Sequence, residues 1–164
     1  MGLNTWLVRL LGAFAFVAAA SALHADDTQG ETVLTVTGLE ASSEYSVGDL
    51  RQIGSETIET TTIWTEGVQT FVGVPLMAFL QALEVTEGIM VATAINDYSI
   101  TIPVDEAMVE GPIIAFERNG KAMSIREKGP LWIVYPYDAG PEFQTEVVHS
   151  RSIWQLNRIE FRAE

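Results

Sequence analysis

Gly129-Pro130-Leu131-Trp132-Ile133-Val134-Tyr135-Pro136 is the stretch that decides the fold. Leu131 to Tyr135 is an unbroken apolar run held between two prolines. It is too short for a buried helix and has no polar alternate to turn toward water, so it reads as a central strand. Trp132 lies inside the run and reads as core. Arg126 and Lys128 precede it, and Tyr137 and Asp138 follow it.

Working outward, short strands outnumber helices. Val33 to Thr37 alternates apolar and polar residues, and Gln155 to Arg162 alternates again to close the sheet. Thr57 to Trp64 is rich in β-branched residues and reads as a strand, turned back by Gly67 toward Val68 to Val72. Ile89 to Ile95 and Ser99 to Ile102 read as strands joined at Asn96-Asp97-Tyr98. Ile113 to Glu117 and Lys121 to Ile125 flank Asn119-Gly120, a hairpin signal because both turn positions favour positive φ. Helices are short. Ser46 is a candidate N-cap for a helix through Ile53. Pro75 suits the first turn of a second helix, which buries Leu76, Phe79, Leu80 and Leu83 at i, i+3, i+4 and i+7. Val104 to Val109 predicts a third.

Residues 1–25 are expected to form a secretory signal. Arg9 supplies the charge, Leu10 to Ala20 is apolar, and Ala20-Ser21-Ala22 and Leu23-His24-Ala25 offer small residues for cleavage. The run falls short of the roughly 20 residues of a membrane span. Residues 26–164 then form one domain in the periplasm, with no membrane insertion once mature. Loss of Arg9 leaves eight basic against 22 acidic residues, a net charge of −14. Such a chain repels nucleic acid, which binding proteins attract with Lys and Arg. It also predicts a partner patch rich in Lys or Arg. There is no cysteine, so disulfides, thiolate zinc sites and Cys–His catalytic pairs are excluded. His149 is the single histidine after residue 25 and reads as a surface or capping residue. No Gly-x-Ser-x-Gly elbow or phosphate-binding Gly-rich loop accompanies it.

The order Phe71-Val72-Gly73-Val74-Pro75-Leu76, then Asn96-Asp97-Tyr98, then Arg126 to Asp138 resembles the molybdopterin-binding fold of the sulfite-oxidase family. The resemblance covers most of the chain after the first 30 residues. Its Gly-Pro-Leu-Trp-Ile-Val-Tyr-Pro segment is similar to that of small periplasmic members. It implies an α+β fold: a β-rich mixed sheet, barrel-like, with a few short helices. In that family a cysteine holds the molybdenum of a pterin cofactor, about a dozen residues before the glycine matching Gly73. Here that region reads Thr60-Thr61-Thr62-Ile63-Trp64. A hydroxyl is harder and far less acidic than a thiol and does not replace it.

The resemblance therefore implies a site for a pterin, either a reduced pterin or a molybdopterin-like one, with no molybdenum expected. A pterin presents two adjacent donors, which a carboxylate meets with paired charge-assisted hydrogen bonds worth roughly 1.5–3 kcal/mol each. Its flat ring calls for an aromatic face. Asp97, flanked by Asn96 and Tyr98, is the first candidate carboxylate, although Asn-Asp equally favours a plain turn. Glu66 is the second. Trp64 covers the pocket mouth or packs on the core. Arg126 and Lys128 border the ligand or form a solvated hairpin end. Tyr137 and Asp138 line the same rim, and Trp154 resembles a tryptophan near the family's C-terminal strand. The implied role is a receptor regulating a membrane-bound signalling protein of the cyclic di-GMP type, through that protein's periplasmic part. The alternatives are a molybdopterin-dependent oxidoreductase holding its metal by the dithiolene alone, and a ligand-free interaction domain.

Overall fold

The computed structural model describes residues 30–163. The expected signal segment therefore lies outside the described residues. Ten strands form a single curled, mixed sheet: β1 Thr32–Thr37, β2 Ser43–Ser46, β3 Glu56–Thr60, β4 Gln69–Pro75, β5 Ile89–Ala94, β6 Ser99–Pro103, β7 Ile113–Arg118, β8 Lys121–Ala122, β9 Leu131–Val134 and β10 Trp154–Arg162. Four short helices accompany them: α1 Val47–Ile53, α2 Leu76–Ala82, α3 Val104–Ala107 and α4 Glu146–Arg151. None of the described helices is long and apolar enough to cross a membrane.

The main path of the sheet runs β2-β1-β10-β9-β7-β4-β3. The apolar run at 131–134 is central, as its composition requires. Every residue of β9 is buried, and the strand lies between β7 and β10. β10 carries the curl. Its first residues pair antiparallel with β9, and its later ones pair with β5 on one side and in parallel with β1 on the other. Register shifts occur at Trp154/Leu156 and Leu156/Arg158, and Gln155 sits at φ 53° between them. Extra residues of this kind bend a strand and re-aim its side chains. Here the bend turns Trp154 out of the core.

Several local expectations hold. Asn119 and Gly120 both take positive φ and join β7 to β8. Ser46 caps α1 by accepting the Asp49 N–H at 3.2 Å, while Asp49 accepts the Ser46 N–H at 2.8 Å. Leu76, Phe79 and Leu80 are fully buried, but Leu83 is only half-buried at the helix end.

Other expectations fail for identifiable reasons. The strand read through Trp64 stops at Thr60. Its threonines make turn contacts instead: the Thr62 and Thr65 hydroxyls bond at 2.8 Å, and the Thr62 hydroxyl accepts the Trp64 N–H at 3.1 Å. Threonine serves strands by its shape and turns by its hydroxyl, and the second use wins here. The strand read through Ile125 stops at Ala122. Ser124 and Glu127 form a capping box that closes a 3₁₀ turn over Ile125–Glu127. β2 and α4 were not anticipated. The N-cap of α4 is Thr145, whose hydroxyl accepts the Val148 N–H at 3.2 Å.

The core tolerates little change. Phe71 is fully buried with its ring 5.3 Å from that of Trp132. Phe71→Ala is expected to lower stability by about 3–5 kcal/mol in urea denaturation. A Cβ on Gly129 would meet the Met123 carbonyl oxygen at 1.8 Å. Gly129→Ala is therefore expected to cost more than about 2 kcal/mol in the same measurement, because backbone on both sides must move.

Candidate functional site

The site is built from aromatic rings around Trp64. The loop after β3 carries this residue over β9 and β10, where its ring meets four others edge-on. Centroid separations are 5.9 Å to Trp132, 6.1 Å to Tyr137, 5.7 Å to His149 and 5.6 Å to Trp154. Such pairs contribute roughly 0.5–1.5 kcal/mol each beyond burial, so the loop is held firmly by one side chain.

A second device holds the same loop. Asp138 accepts the Thr61 N–H and the Thr61 hydroxyl, both at 2.6 Å, and its own N–H donates to the Thr60 hydroxyl at 3.1 Å. These bonds to Thr61, side chain first and then backbone, hold the Asp138 carboxyl below its ordinary value. Beneath the aromatic cluster, the Tyr137 hydroxyl donates to Ser152 Oγ at 2.6 Å, and Ser152 Oγ donates to the Val148 carbonyl at 2.8 Å. The Trp132 indole N–H donates to the Ser152 carbonyl at 3.2 Å. Burial pushes the Tyr137 phenol up to about 12, so it serves as a donor and not as a base near neutrality.

These elements leave a cleft of about 340 Å³ lined by Trp64, Asn96, Tyr98, His149, Ser152 and Trp154, with Ala94, Ser150 and Ile153 completing it. The volume is at the small end of ligand sites, and three large aromatic side chains among its walls suit a flat ring. A second depression of about 330 Å³ lies on the other side of His149 and includes Thr61, Thr62, Ile63, Tyr137, Asp138 and Gln144.

Of the residues singled out in the sequence, Trp64, Asn96, Tyr98 and Trp154 converge on the cleft, while Tyr137 and Asp138 border its neighbour. Lys128 touches the cleft wall from outside. Its ammonium lies 4.1 Å from the centre of the Trp154 ring, and burial, followed by the charge of Arg118, lowers its pKa. Asp97 does not line the cleft. It occupies a turn at φ 66° with an exposed carboxylate paired to Arg158. Glu66 is exposed on the Trp64 loop, and Arg126 is exposed on the 3₁₀ turn. His149 and Ser152 are cleft residues that sequence reasoning missed. A lone histidine was the available signal for the first. Nothing in the sequence marks the second.

A family model described as the oxidoreductase molybdopterin binding domain matches residues 23–161. The chain belongs to this family. Its structure is similar to the crystal structure of the sulfane dehydrogenase SoxCD from Paracoccus pantotrophus, with a TM-score of 0.57 at 18% sequence identity. The match covers 84% of this chain and 39% of that one, so the likeness is one of fold and spans well under half of the larger protein. No curated protein matches the chain.

The residues of this molybdopterin-binding domain fit one part of the family's cofactor and not another. An aromatic cleft suits the pterin ring. The metal's anchor has no counterpart, since the chain has no cysteine, and no group of three or more His, Asp or Glu converges among the described residues. The cleft lining also contains no Lys or Arg to meet a phosphate.

The Asp138 clamp yields a pH prediction. A carboxyl with a depressed folded-state pKa contributes stability that is present above its unfolded value, near 3.8, and is lost as pH falls through the lower folded value. Protection of the Thr61 amide, its exchange rate compared with that of an unstructured peptide at the same pH, is expected to fall below that range in the wild type. In Asp138→Asn that protection is expected to be low already at neutral pH and to change little in acid.

Proposed function

We propose that this domain is a periplasmic receptor for a pterin and that it regulates the periplasmic part of a membrane-bound signalling protein. The observation that carries the reading is the pairing of an aromatic cleft with the absence of a cysteine anywhere in the chain. A family site that keeps its ring-binding wall and lacks the protein thiolate is suited to holding a pterin as a signal. A receptor of this kind acts only by presenting two states of different affinity to ligand and partner. The natural moving part is the exposed far end of the Trp64 loop, residues 66–68, which lies beyond the Trp64 and Asp138 anchors. A coupling typical of linked sites, roughly 1–3 kcal/mol, would change partner affinity about 5- to 150-fold on pterin addition.

Within this reading, Trp154 and Trp64 supply the ring contacts and Asn96 a polar edge. Asp97 stands beside Asn96 with its carboxylate engaged by Arg158. It contributes to binding by giving up that pair for the ring's donors, or not at all. Two titrations with a reduced pterin separate these outcomes. Trp154→Ala is expected to weaken binding by roughly 1–3 kcal/mol, about 5- to 150-fold. Asp97→Asn is expected to change it by less than about threefold. A loss in Asp97→Asn as large as in Trp154→Ala would bring the carboxylate into the site.

Cargo tests the reading as a whole. Protein purified from the periplasm is expected to release a fluorescent oxidised pterin in proportion to protein, with molybdenum far below stoichiometric by elemental analysis. Stoichiometric molybdenum would replace the receptor with an oxidoreductase. Absence of any pterin would leave a ligand-free interaction domain.

A further inference from the structure

The positive charges of this acidic chain are unevenly used. Among the described residues four of the eight cations make ion pairs: Arg51 with Glu117, Arg151 with Glu106 at 2.6 Å, Arg158 with Asp97, and Arg162 with Glu160 at 2.7 Å. The other four are Arg118, Lys121, Arg126 and Lys128, and all fall within one stretch, residues 118–128. In a chain carrying 22 acidic residues, cations left to chance would find carboxylates. These four are instead gathered where β7, β8 and the following 3₁₀ turn meet.

Local geometry makes the gathering costly. Arg118 stands directly opposite Lys121 across the hairpin, and like charges facing each other in a β-ladder are destabilising. Glu127 is the one carboxylate in this stretch. Its oxygen accepts from the Ser124 hydroxyl at 2.9 Å and the Ser124 N–H at 3.4 Å, and the charges of Arg118 and Lys121 act on it without a direct ion pair. A shallow depression of about 230 Å³ opens between Arg118, Lys121 and Glu127. Ile125, 58% exposed, lies on the 3₁₀ turn two residues before Glu127.

The backbone of the 3₁₀ turn that carries Ile125 and Arg126 is held at both ends. The Gly129 N–H donates to the Ser124 carbonyl at 2.8 Å. From β10, the Gln155 side chain donates to the Ile125 carbonyl at 2.8 Å, and the Gln155 N–H donates to the Lys128 carbonyl at 2.9 Å. A fixed backbone spares the turn its share of the ordering cost of binding.

We propose that residues 118–128 form a docking surface for an acidic segment of a partner protein, one that sets carboxylates against Arg118, Lys121 and Arg126 and an apolar residue against Ile125. The patch is a local exception to the charge of the whole chain. That charge favours basic partners at long range, whereas contact here selects an acidic one. The proposal stands apart from the identity of the molecule in the cleft, and its test uses no pterin.

The probes are a short fluorescein-labelled Glu-rich peptide containing leucine, a Lys-rich peptide of the same length, and inorganic phosphate, each titrated against the full chain at low salt by anisotropy or competition. Lys121→Glu/Arg126→Glu alters only exposed side chains, and an unchanged melting curve verifies folding. The Glu-rich peptide is expected to bind the wild type, to weaken at least about tenfold in the charge-reversed variant, and to weaken with added salt. Lys121→Gln/Arg126→Gln is expected to lie between the two. Equal binding of the Glu-rich peptide by wild type and variant would overturn the proposal. So would failure of that peptide to bind at low salt, or displacement of it by phosphate at equal concentration, which would make the patch a small-anion site.

Discussion

The Trp132 indole N–H donates to the carbonyl of the buried Ser152, and much of the molecule depends on that bond. Trp132 belongs to the central strand, so its ring is fixed by the core on the side of Phe71. Ser152 precedes β10 and lies in the wall of the cleft. The bond therefore ties the fully buried central strand to the segment that delivers Trp154. Ser152 also accepts from Tyr137 and donates to α4 through Val148. One buried serine thus organises three segments, and an unpaired polar group at this depth would carry the full cost of desolvation.

Charge is arranged with similar economy. Carboxylates outnumber cations more than two to one, yet several of them serve to hold backbone. Asp49 closes the first turn of α1, Glu127 closes the 3₁₀ turn, and Asp138 fastens the Trp64 loop. Each is held below its ordinary pKa chiefly by hydrogen bonds. The cations without an ion pair among the described residues are collected around one hairpin, where Lys128 lies over the Trp154 ring.

Within the oxidoreductase molybdopterin-binding family, the chain keeps the fold while lacking the residue type on which metal capture by protein depends. The region where the resemblance places the thiolate holds Thr60 and Thr61, and both are engaged with Asp138. Hydroxyls used in this way brace a loop. The aromatic wall beside them is built from Trp64 and Trp154, which rest half-buried against the core tryptophan, Trp132.

The class of fold came from the resemblance to the sulfite-oxidase family, while composition and pattern by themselves determined the excess of short strands over helices, the central position of Leu131 to Val134, the Asn119-Gly120 hairpin, the Ser46 cap and the lack of any thiolate chemistry. Each of these follows from local sterics, from hydrophobic period or from the presence of a residue type, and none needs a distant contact. Trp64, Asn96, Tyr98 and Trp154, singled out through the resemblance to the sulfite-oxidase family, come together on one cleft. Tertiary structure alone decided the rest. Asp97 faces Arg158 and not the cleft, because a turn at positive φ points its side chain outward. His149 and Ser152 reach the cleft only because α4 packs beside β6 and sets its histidine against Trp64. The loop itself departs from a strand because Asp138, 77 positions further along the chain, captures Thr61. Contacts between residues so far apart in sequence leave no periodic trace in it, so their outcome is visible only once the sheet has brought them together.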